Sequence, residues 1–194
     1  MPADGSGQLE VLLSRDFDQC PTSFSPVGDV IAFEENNPDG GSDIYLVRLE
    51  GNRTASAFAA TAADEKDATC SPDGRLLAYS SNESGRYEVY VQPLSGGSKF
   101  RISSDGGHLP KWALSEKEIF FRHESRVMIA GVSFTPAFRA TTPRQLFEGP
   151  LAGTYDVFPD GQHFAVLRVP SIVLRETNLV VNWPADLARL VAGN

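Results

Sequence analysis

The 194-residue chain is long enough for one well-cored domain and leaves little room for two. Its formal net charge is −8, with 25 Asp and Glu against 17 Lys and Arg, so it lacks the basic face that a nucleic-acid backbone requires. The 17 Gly and 13 Pro are typical of a fold with many turns, and no segment has long helical periodicity. We therefore expect an all-β domain without a nucleic-acid partner.

The N-terminal residues carry no targeting signal. Met1–Gly7 contains neither a basic start nor an apolar run, so we expect no signal peptide in this chain. The longest apolar stretches are too short to cross a membrane, which favours a soluble protein of unknown compartment. Gln8–Leu13 is apolar-rich and is a candidate strand.

A hairpin unit is clearest in the stretch Ser71–Leu94. The sequence Ser71-Pro72-Asp73-Gly74 predicts a tight turn, because proline presets φ near −65° and glycine accepts positive φ. Leu76–Tyr79 has no charged residue and predicts a strand covered on both faces. Glu88–Gln92 alternates in polarity as a half-exposed strand does.

This turn-then-apolar pattern occurs four times along the chain. The copies begin at Ser25, Ser71, Ala113 and Phe158, so the steps are 46, 42 and 45 residues. A period of roughly 40 to 50 residues made of short strands indicates propeller blades, each of which must stack on its neighbours to bury its faces. An irregular β-sandwich is the structural alternative.

We predict an all-β fold, a β-propeller of four-stranded antiparallel blades with four repeats and a short C-terminal helix. The repeats cover about 14–60, 61–104, 105–148 and 149–182, and the helix and tail cover 183–194. Outer fourth strands are expected at Thr54–Ala59, Lys99–Ser103 and Arg144–Phe147, with none after the fourth repeat.

The missing last strand and the spare first one leave three arrangements open. Gln8–Leu13 could complete the last blade of a closed four-bladed ring, which would remove its exposed edge. Two chains could join head to tail as a homodimer that shares blades. The chain could also be part of a larger propeller.

These repeats resemble those of a known family. The SPDG turn at residues 71–74 and the strands DIYLVRL and EVYVQPL resemble the repeats of the bacterial TolB family. The resemblance implies a β-propeller that binds proteins or ligands rather than one that catalyses a reaction. Two turns depart from the pattern, with Val27 where Asp is usual and Leu114–Glu116 where Pro and Gly are lost.

A second resemblance leaves an alternative function open. Residues 66–168 are similar to the C-terminal propeller of some bacterial serine/threonine kinases and sensors. The alternative is therefore a regulatory or sensor propeller of a larger enzyme, such as such a kinase or a prolyl-oligopeptidase-like hydrolase.

The sequence predicts no catalytic residue, metal or cofactor. It has no G-x-S-x-G elbow, and of its histidines His163 is expected inside an apolar strand and His123 in a turn. Cys20 and Cys70 have neither zinc-site spacing nor equivalent repeat positions, so neither zinc nor a disulfide is expected. The acidic residues near two loops lack the ligand order of a calcium loop: Asp39, Asp43, Asp64 and Asp67.

The ligand, if one binds, is unknown, but its expected place is the propeller mouth. His108 begins a predicted inner strand and could line a pocket with Lys111 and the equivalent positions Gln19, Asp67 and Thr154. Aromatic residues near loops are further candidate contacts for a protein partner or small ligand: Tyr87, Phe134, Phe138 and Tyr155.

Overall fold

A computed structural model describes residues 6–38, 40–134 and 137–168 and the backbone of 176–180. Sixteen strands in this part of the chain form four antiparallel sheets, one per predicted repeat, and no helix occurs among them. The predicted C-terminal helix over 183–194 lies outside the described residues.

The sheets follow one another in chain order. The first contains β1 (Asp18–Phe24), β2 (Val30–Asn37), β3 (Gly41–Arg48) and β4 (Ala55–Ala59), and the second contains β5 (Glu65–Cys70), β6 (Leu76–Ser81), β7 (Glu88–Pro93) and β8 (Phe100–Arg101). The third contains β9 (His108–Trp112), β10 (Glu118–His123), β11 (Arg126–Ser133), β12 (Arg139–Ala140) and β13 (Arg144–Glu148). The fourth contains β14 (Leu151–Val157), β15 (Phe164–Arg168) and β16 (Glu176–Val180).

The outer strands differ in part from the prediction. The third sheet has five strands, because β12 and β13 both pair with β11 along different parts of its length. The outer strand of the second sheet is only the pair Phe100–Arg101, although the Ile102 N–H still donates to the Val89 carbonyl of β7 and the Ile102 side chain is buried. Four-stranded sheets are therefore confirmed for the first two repeats only.

The predicted strand Gln8–Leu13 is wrong, since these residues form no strand. Salt bridges from Glu10 to Arg53 and from Arg15 to Glu35 hold the segment against the first sheet. The segment therefore runs across a face of the first sheet and does not complete the fourth.

Packing joins the sheets as successive layers. The first strands β1, β5, β9 and β14 contact one another in succession, which places them on the inner side of the arc. Ala78 packs with Phe121 between the second and third sheets, and Phe120 packs with Phe164 between the third and fourth. Alternate residues of each second strand therefore face the preceding and the following sheet, and the hydrophobic cores lie between sheets.

Each inner strand carries a β-bulge at the same level. The bulges leave Asp67 and Leu109 in the left-handed region, with φ of 59° and 53°, and Gly153 adopts φ of 60°. A bulge turns backbone groups out of the ladder of its own sheet. In β5, β9 and β14 a backbone group of the bulge forms a hydrogen bond with a side chain of the preceding sheet.

Candidate functional site

One side chain in each of the first three sheets binds the bulge of the next sheet. Glu34, Ser80 and Arg122 each follow the first residue of their repeat's turn by nine positions. Glu34 Oε1 accepts a hydrogen bond from the Asp67 N–H at 2.6 Å, and Ser80 Oγ accepts one from the Leu109 N–H at 3.2 Å.

In the third sheet the same position donates instead of accepting. Arg122 Nη1 donates to the Gly153 carbonyl at 2.6 Å, and its Nη2 donates to the Leu151 carbonyl at 3.2 Å. The fourth sheet has Leu167 at this position, and that side chain is 42% exposed. We call Glu34, Ser80 and Arg122 the latch residues.

The structure brings together two residues of the predicted mouth site, Asp67 and His108. Asp67 Oδ2 accepts hydrogen bonds from Ser80 Oγ at 2.8 Å and from the Leu109 N–H at 3.1 Å. His108 is the cross-strand partner of Arg122. Burial lowers the pKa of His108, and the nearby positive charge of Arg122 acts in the same direction while Asp67 opposes it.

The other predicted mouth residues do not join this group. Gln19 Nε2 donates to the Phe17 carbonyl, and Thr154 Oγ1 donates to the Tyr155 carbonyl. No hydrogen bond or ion pair within the described ranges connects Lys111 to His108. The sequence did not indicate Ser80 and Arg122, because the equivalent positions of the four repeats carry Glu, Ser, Arg and Leu, which share no chemistry.

Two of the acidic residues considered for calcium, Asp64 and Asp67, accept hydrogen bonds from protein groups. Asp64 Oδ1 accepts from the Ser42 N–H at 2.8 Å, and its Oδ2 accepts from the Tyr87 hydroxyl and lies 3.8 Å from Lys66 Nζ. Asp39 lies outside the described residues. Across the described ranges, no three His, Cys, Asp or Glu side chains are placed to hold a metal ion.

The remaining histidines and cysteines occupy structural positions. His163 was predicted inside a strand, but it lies in the turn before β15 and its Nδ1 bonds the Asp160 carboxylate. His123 ends β10. Cys20 is exposed and Cys70 is buried, and both thiols are free. Burial raises the pKa of the Cys70 thiol, which makes it a poor nucleophile.

An apolar groove lies at the turn end of the first three sheets. Its volume is about 460 Å³, within the range of small-molecule sites. Its apolar lining comes from three successive repeats: Val27, Val30, Leu76, Pro93, Leu94 and Phe134. The Phe134 ring packs on Phe138 at 5.6 Å, and Phe138 in turn packs on Phe100 at 4.5 Å.

Three charged residues also line the groove: Asp29, Arg48 and Arg75. Arg48 Nη1 lies 3.2 Å from Asp29 Oδ2, and Arg75 pairs with Asp73. The two arginine side chains are still 69% and 70% exposed. A guanidinium beside an apolar floor suits a ligand that has an apolar body and an anionic group.

Of the four candidate aromatic residues, Phe134 reaches the groove. Phe138 supports it, Tyr87 bonds Asp64, and Tyr155 is buried in the core between the third and fourth sheets.

No protein-family model matches the chain. Among solved structures it is similar to TolB from Acinetobacter baumannii, with a TM-score of 0.64 and 21% identity over 84% of this chain and 40% of that one. It is also similar to a TolB candidate from Agrobacterium tumefaciens, with a TM-score of 0.57 and 16% identity over 70% of this chain and 51% of that one. The fold is that of a TolB-like β-propeller.

The TolB-like propeller is shared with proteins of other functions. A puromycin hydrolase matches with a TM-score of 0.55 and 13% identity over 77% of this chain and 25% of that one. This chain therefore spans about half or less of each of the three matched proteins. In the described part of the propeller, no helix is long and apolar enough to span a membrane.

Proposed function

We propose that the chain is a non-catalytic TolB-like propeller module that binds an extended protein segment or a small ligand in the groove at its turn end. The groove itself carries the proposal, since it is apolar, bordered by exposed arginines and assembled from three repeats. The groove is favoured over the mouth because the Asp67 carboxylate and the Leu109 N–H already bond each other there.

The chemistry of the groove defines the expected ligand. Val27 is 65% exposed and stands at the groove edge, so it is available to an apolar side chain of a ligand. Arg48 and Arg75 would meet a carboxylate. An extended segment with apolar side chains next to Asp or Glu satisfies both requirements.

The test compares two exposed apolar turn residues. Val27→Asp places a charge at the groove edge, and Leu114→Asp places the same charge in the turn of the third repeat, outside the groove. Leu114 is 61% exposed, so neither change should disturb the core. The probes are the anionic apolar dye ANS and a random peptide library displayed against the wild-type protein.

We expect V27D to lose ANS binding and to weaken the enriched peptides at least tenfold, and we expect L114D to behave as wild type. The enriched peptides should combine apolar and acidic residues. Peptide binding that is unaffected by V27D, or a library that yields no binder, would reject the groove as the binding site.

The second candidate is a regulatory or sensor propeller of a larger enzyme. The similarity in fold to a puromycin hydrolase supports this candidate, because a quarter of that larger protein matches the fold of this chain. An enzyme domain in the same reading frame would favour this candidate. Turnover of generic ester, peptide or phosphate substrates by the chain alone would contradict the non-catalytic proposal.

A further inference from the structure

The sequence contains two N-x-S/T sequons, the motif at which an oligosaccharyltransferase attaches a glycan to asparagine. The first is Asn52-Arg53-Thr54, in the loop that joins β3 to β4, and the second is Asn82-Glu83-Ser84, in the loop that joins β6 to β7. A transferase must reach both the asparagine amide and the hydroxyl group two residues later. The two sequons differ in this respect.

The first sequon is presented to solvent. Asn52 and Thr54 are exposed, and neither side chain forms a hydrogen bond with another described residue. Gly51 has φ of 78°, and a Cβ added to it would meet no atom within 4 Å, so the space beside Asn52 is open. The Arg53 guanidinium donates to the Leu49 carbonyl at 3.2 Å, which holds the loop without using either acceptor group.

The second sequon is engaged in the fold. Asn82 is only partly exposed, its Oδ1 accepts a hydrogen bond from the Asp64 N–H at 2.9 Å, and its own N–H donates to the Asp64 carbonyl at 3.3 Å. The Ser84 hydroxyl donates to the Arg86 carbonyl at 3.2 Å. The amide and the hydroxyl that a transferase would bind are both already bonded here, so this sequon is an internal control.

The outer edge of the first sheet lies next to the first sequon. β4 begins three residues after Asn52, and its outer edge pairs with no strand of the described ranges. Residues 54–63 carry no charged side chain, and Ser56 and Ala57 of β4 are exposed. An open edge strand without charge is a template for pairing with strands of other molecules, and native proteins normally protect such an edge.

The second and third sheets protect their outer strands with charge. Each of these strands carries an exposed arginine: Arg101 on β8, Arg139 on β12 and Arg144 on β13. β4 has no such residue. A bulky hydrated group attached beside β4 would give the same protection by a different means.

We propose that Asn52 is the acceptor of an N-linked glycan, and that this glycan shields the uncharged edge of β4. The donor is an oligosaccharide joined through its anomeric carbon to a lipid diphosphate. Asn52 Nδ2 forms a bond to that carbon, the bond from the carbon to the diphosphate oxygen breaks with its electron pair leaving on the lipid diphosphate, and the Nδ2 proton passes to a base of the transferase. The Thr54 hydroxyl is the group by which the transferase recognises the sequon. The modification does not use the groove, so it stands or fails independently of the proposed function.

The first experiment tests whether the fold presents one sequon and protects the other. The folded protein and synthetic peptides of residues 48–57 and 78–87 are each incubated with a single-subunit oligosaccharyltransferase and a lipid-linked oligosaccharide, and intact mass is measured. We expect both peptides to be modified, whereas the folded chain should gain one glycan, at Asn52. Asn52→Gln and Thr54→Ala should abolish the gain, while Thr54→Ser and Asn82→Gln should retain it.

Two results of this experiment would overturn the proposal. One is a folded chain that stays unmodified while the peptide of residues 48–57 is modified, because the loop would then be inaccessible. The other is equal modification of Asn52 and Asn82 in the folded chain, because the structure would then not select between them. Mass spectrometry of the protein isolated from the cells that produce it should find the glycan on Asn52, and an unmodified Asn52 there would also reject the proposal.

A second experiment tests the shielding of β4. The unmodified chain should self-associate as its concentration rises, as measured by light scattering, and both the glycan and the edge variant Ser56→Lys should reduce that association. Ser115→Lys places the same charge in the exposed turn of the third repeat and serves as the matched control, which should scatter as the unmodified chain does. Equal scattering by the glycosylated and unmodified chains would contradict the shielding.

Discussion

Arg122 of β10 donates a hydrogen bond to the carbonyl of Gly153 on β14 at 2.6 Å, and this contact joins the third sheet to the fourth. It corresponds to the bond from the Asp67 N–H to Glu34 between the first two sheets. The latch position therefore has the same structural role in successive repeats, although its residue changes from an acid to a base and the direction of the hydrogen bond reverses.

We expect Arg122→Met to destabilise the protein by about 1 to 3 kcal/mol, because it removes the hydrogen bonds that the buried Arg122 guanidinium donates to the Gly153 and Leu151 carbonyls. Urea unfolding measures the loss. Arg75 is 70% exposed and its ion pair is with its turn neighbour Asp73, so Arg75→Ala should change stability by less than about 0.5 kcal/mol. Equal effects of the two changes would show that the latch contributes nothing.

Stability should fall on acidification below about pH 6.5, and His108 should contribute to that fall. Burial lowers the pKa of His108 in the folded state, so the unfolded chain binds the proton first as pH drops through the ordinary histidine value of about 6.5. His108→Gln removes this difference, and its unfolding free energy should decrease less between pH 7 and pH 5. The nearby groups Asp67, Lys66, Arg122 and His123 remain in both proteins. Parallel pH profiles for the two proteins would contradict the prediction.

Acid sensitivity below about pH 4 should depend on Asp64. Burial alone would raise the pKa of this carboxyl, but hydrogen bonds from Tyr87 and Ser42 and the charge of Lys66 outweigh burial and lower it. The stabilisation is present above the ordinary aspartate value and is lost as pH falls through the lower folded value. We expect Asp64→Asn to cost about 1 kcal/mol at pH 7 and to reduce the loss between pH 4 and pH 2. The exposed control Asp16→Asn should match wild type, and an unchanged profile for D64N would reject the assignment.

Gly107 precedes β9 at a point where no side chain fits. A Cβ there would lie 2.8 Å from Ser103 Oγ and 2.9 Å from a ring carbon of Phe121, so Gly107→Ala should cost about 1 to 3 kcal/mol. At Gly149 the nearest atom to an added Cβ is Leu151 Cδ2 at 3.9 Å, an ordinary contact. Thermal unfolding should therefore separate G107A from G149A, and similar melting temperatures would disprove the crowding.

The local sequence pattern was sufficient to predict the four repeats. The turn residues and apolar runs correctly predicted four sheets of a β-propeller, because a tight turn and a two-residue alternation depend on neighbours in sequence. The TolB-like character was predicted from the resemblance of the repeats. The outer strands were less predictable. In the third sheet, for example, two short strands, β12 and β13, share the outer edge of β11, and no local pattern indicated this division.

The candidate surfaces were harder to predict than the fold. The groove draws Val27, Leu94 and Phe134 from three repeats, and no local pattern connects them. The N-terminal segment was misread because Gln8–Leu13 is apolar enough for a strand, whereas its position is set by Arg15 and Glu35, which are 20 residues apart.

The sequence alone determined the repeating hairpin, its period and the acidic character of the chain, because each follows from composition or from residues a few positions apart. Only the tertiary structure decided which side chain latches each sheet to the next, where the groove forms and what covers the first sheet. Those features depend on contacts between repeats. Their energy comes from burial and hydrogen bonds that exist only after the sheets have stacked.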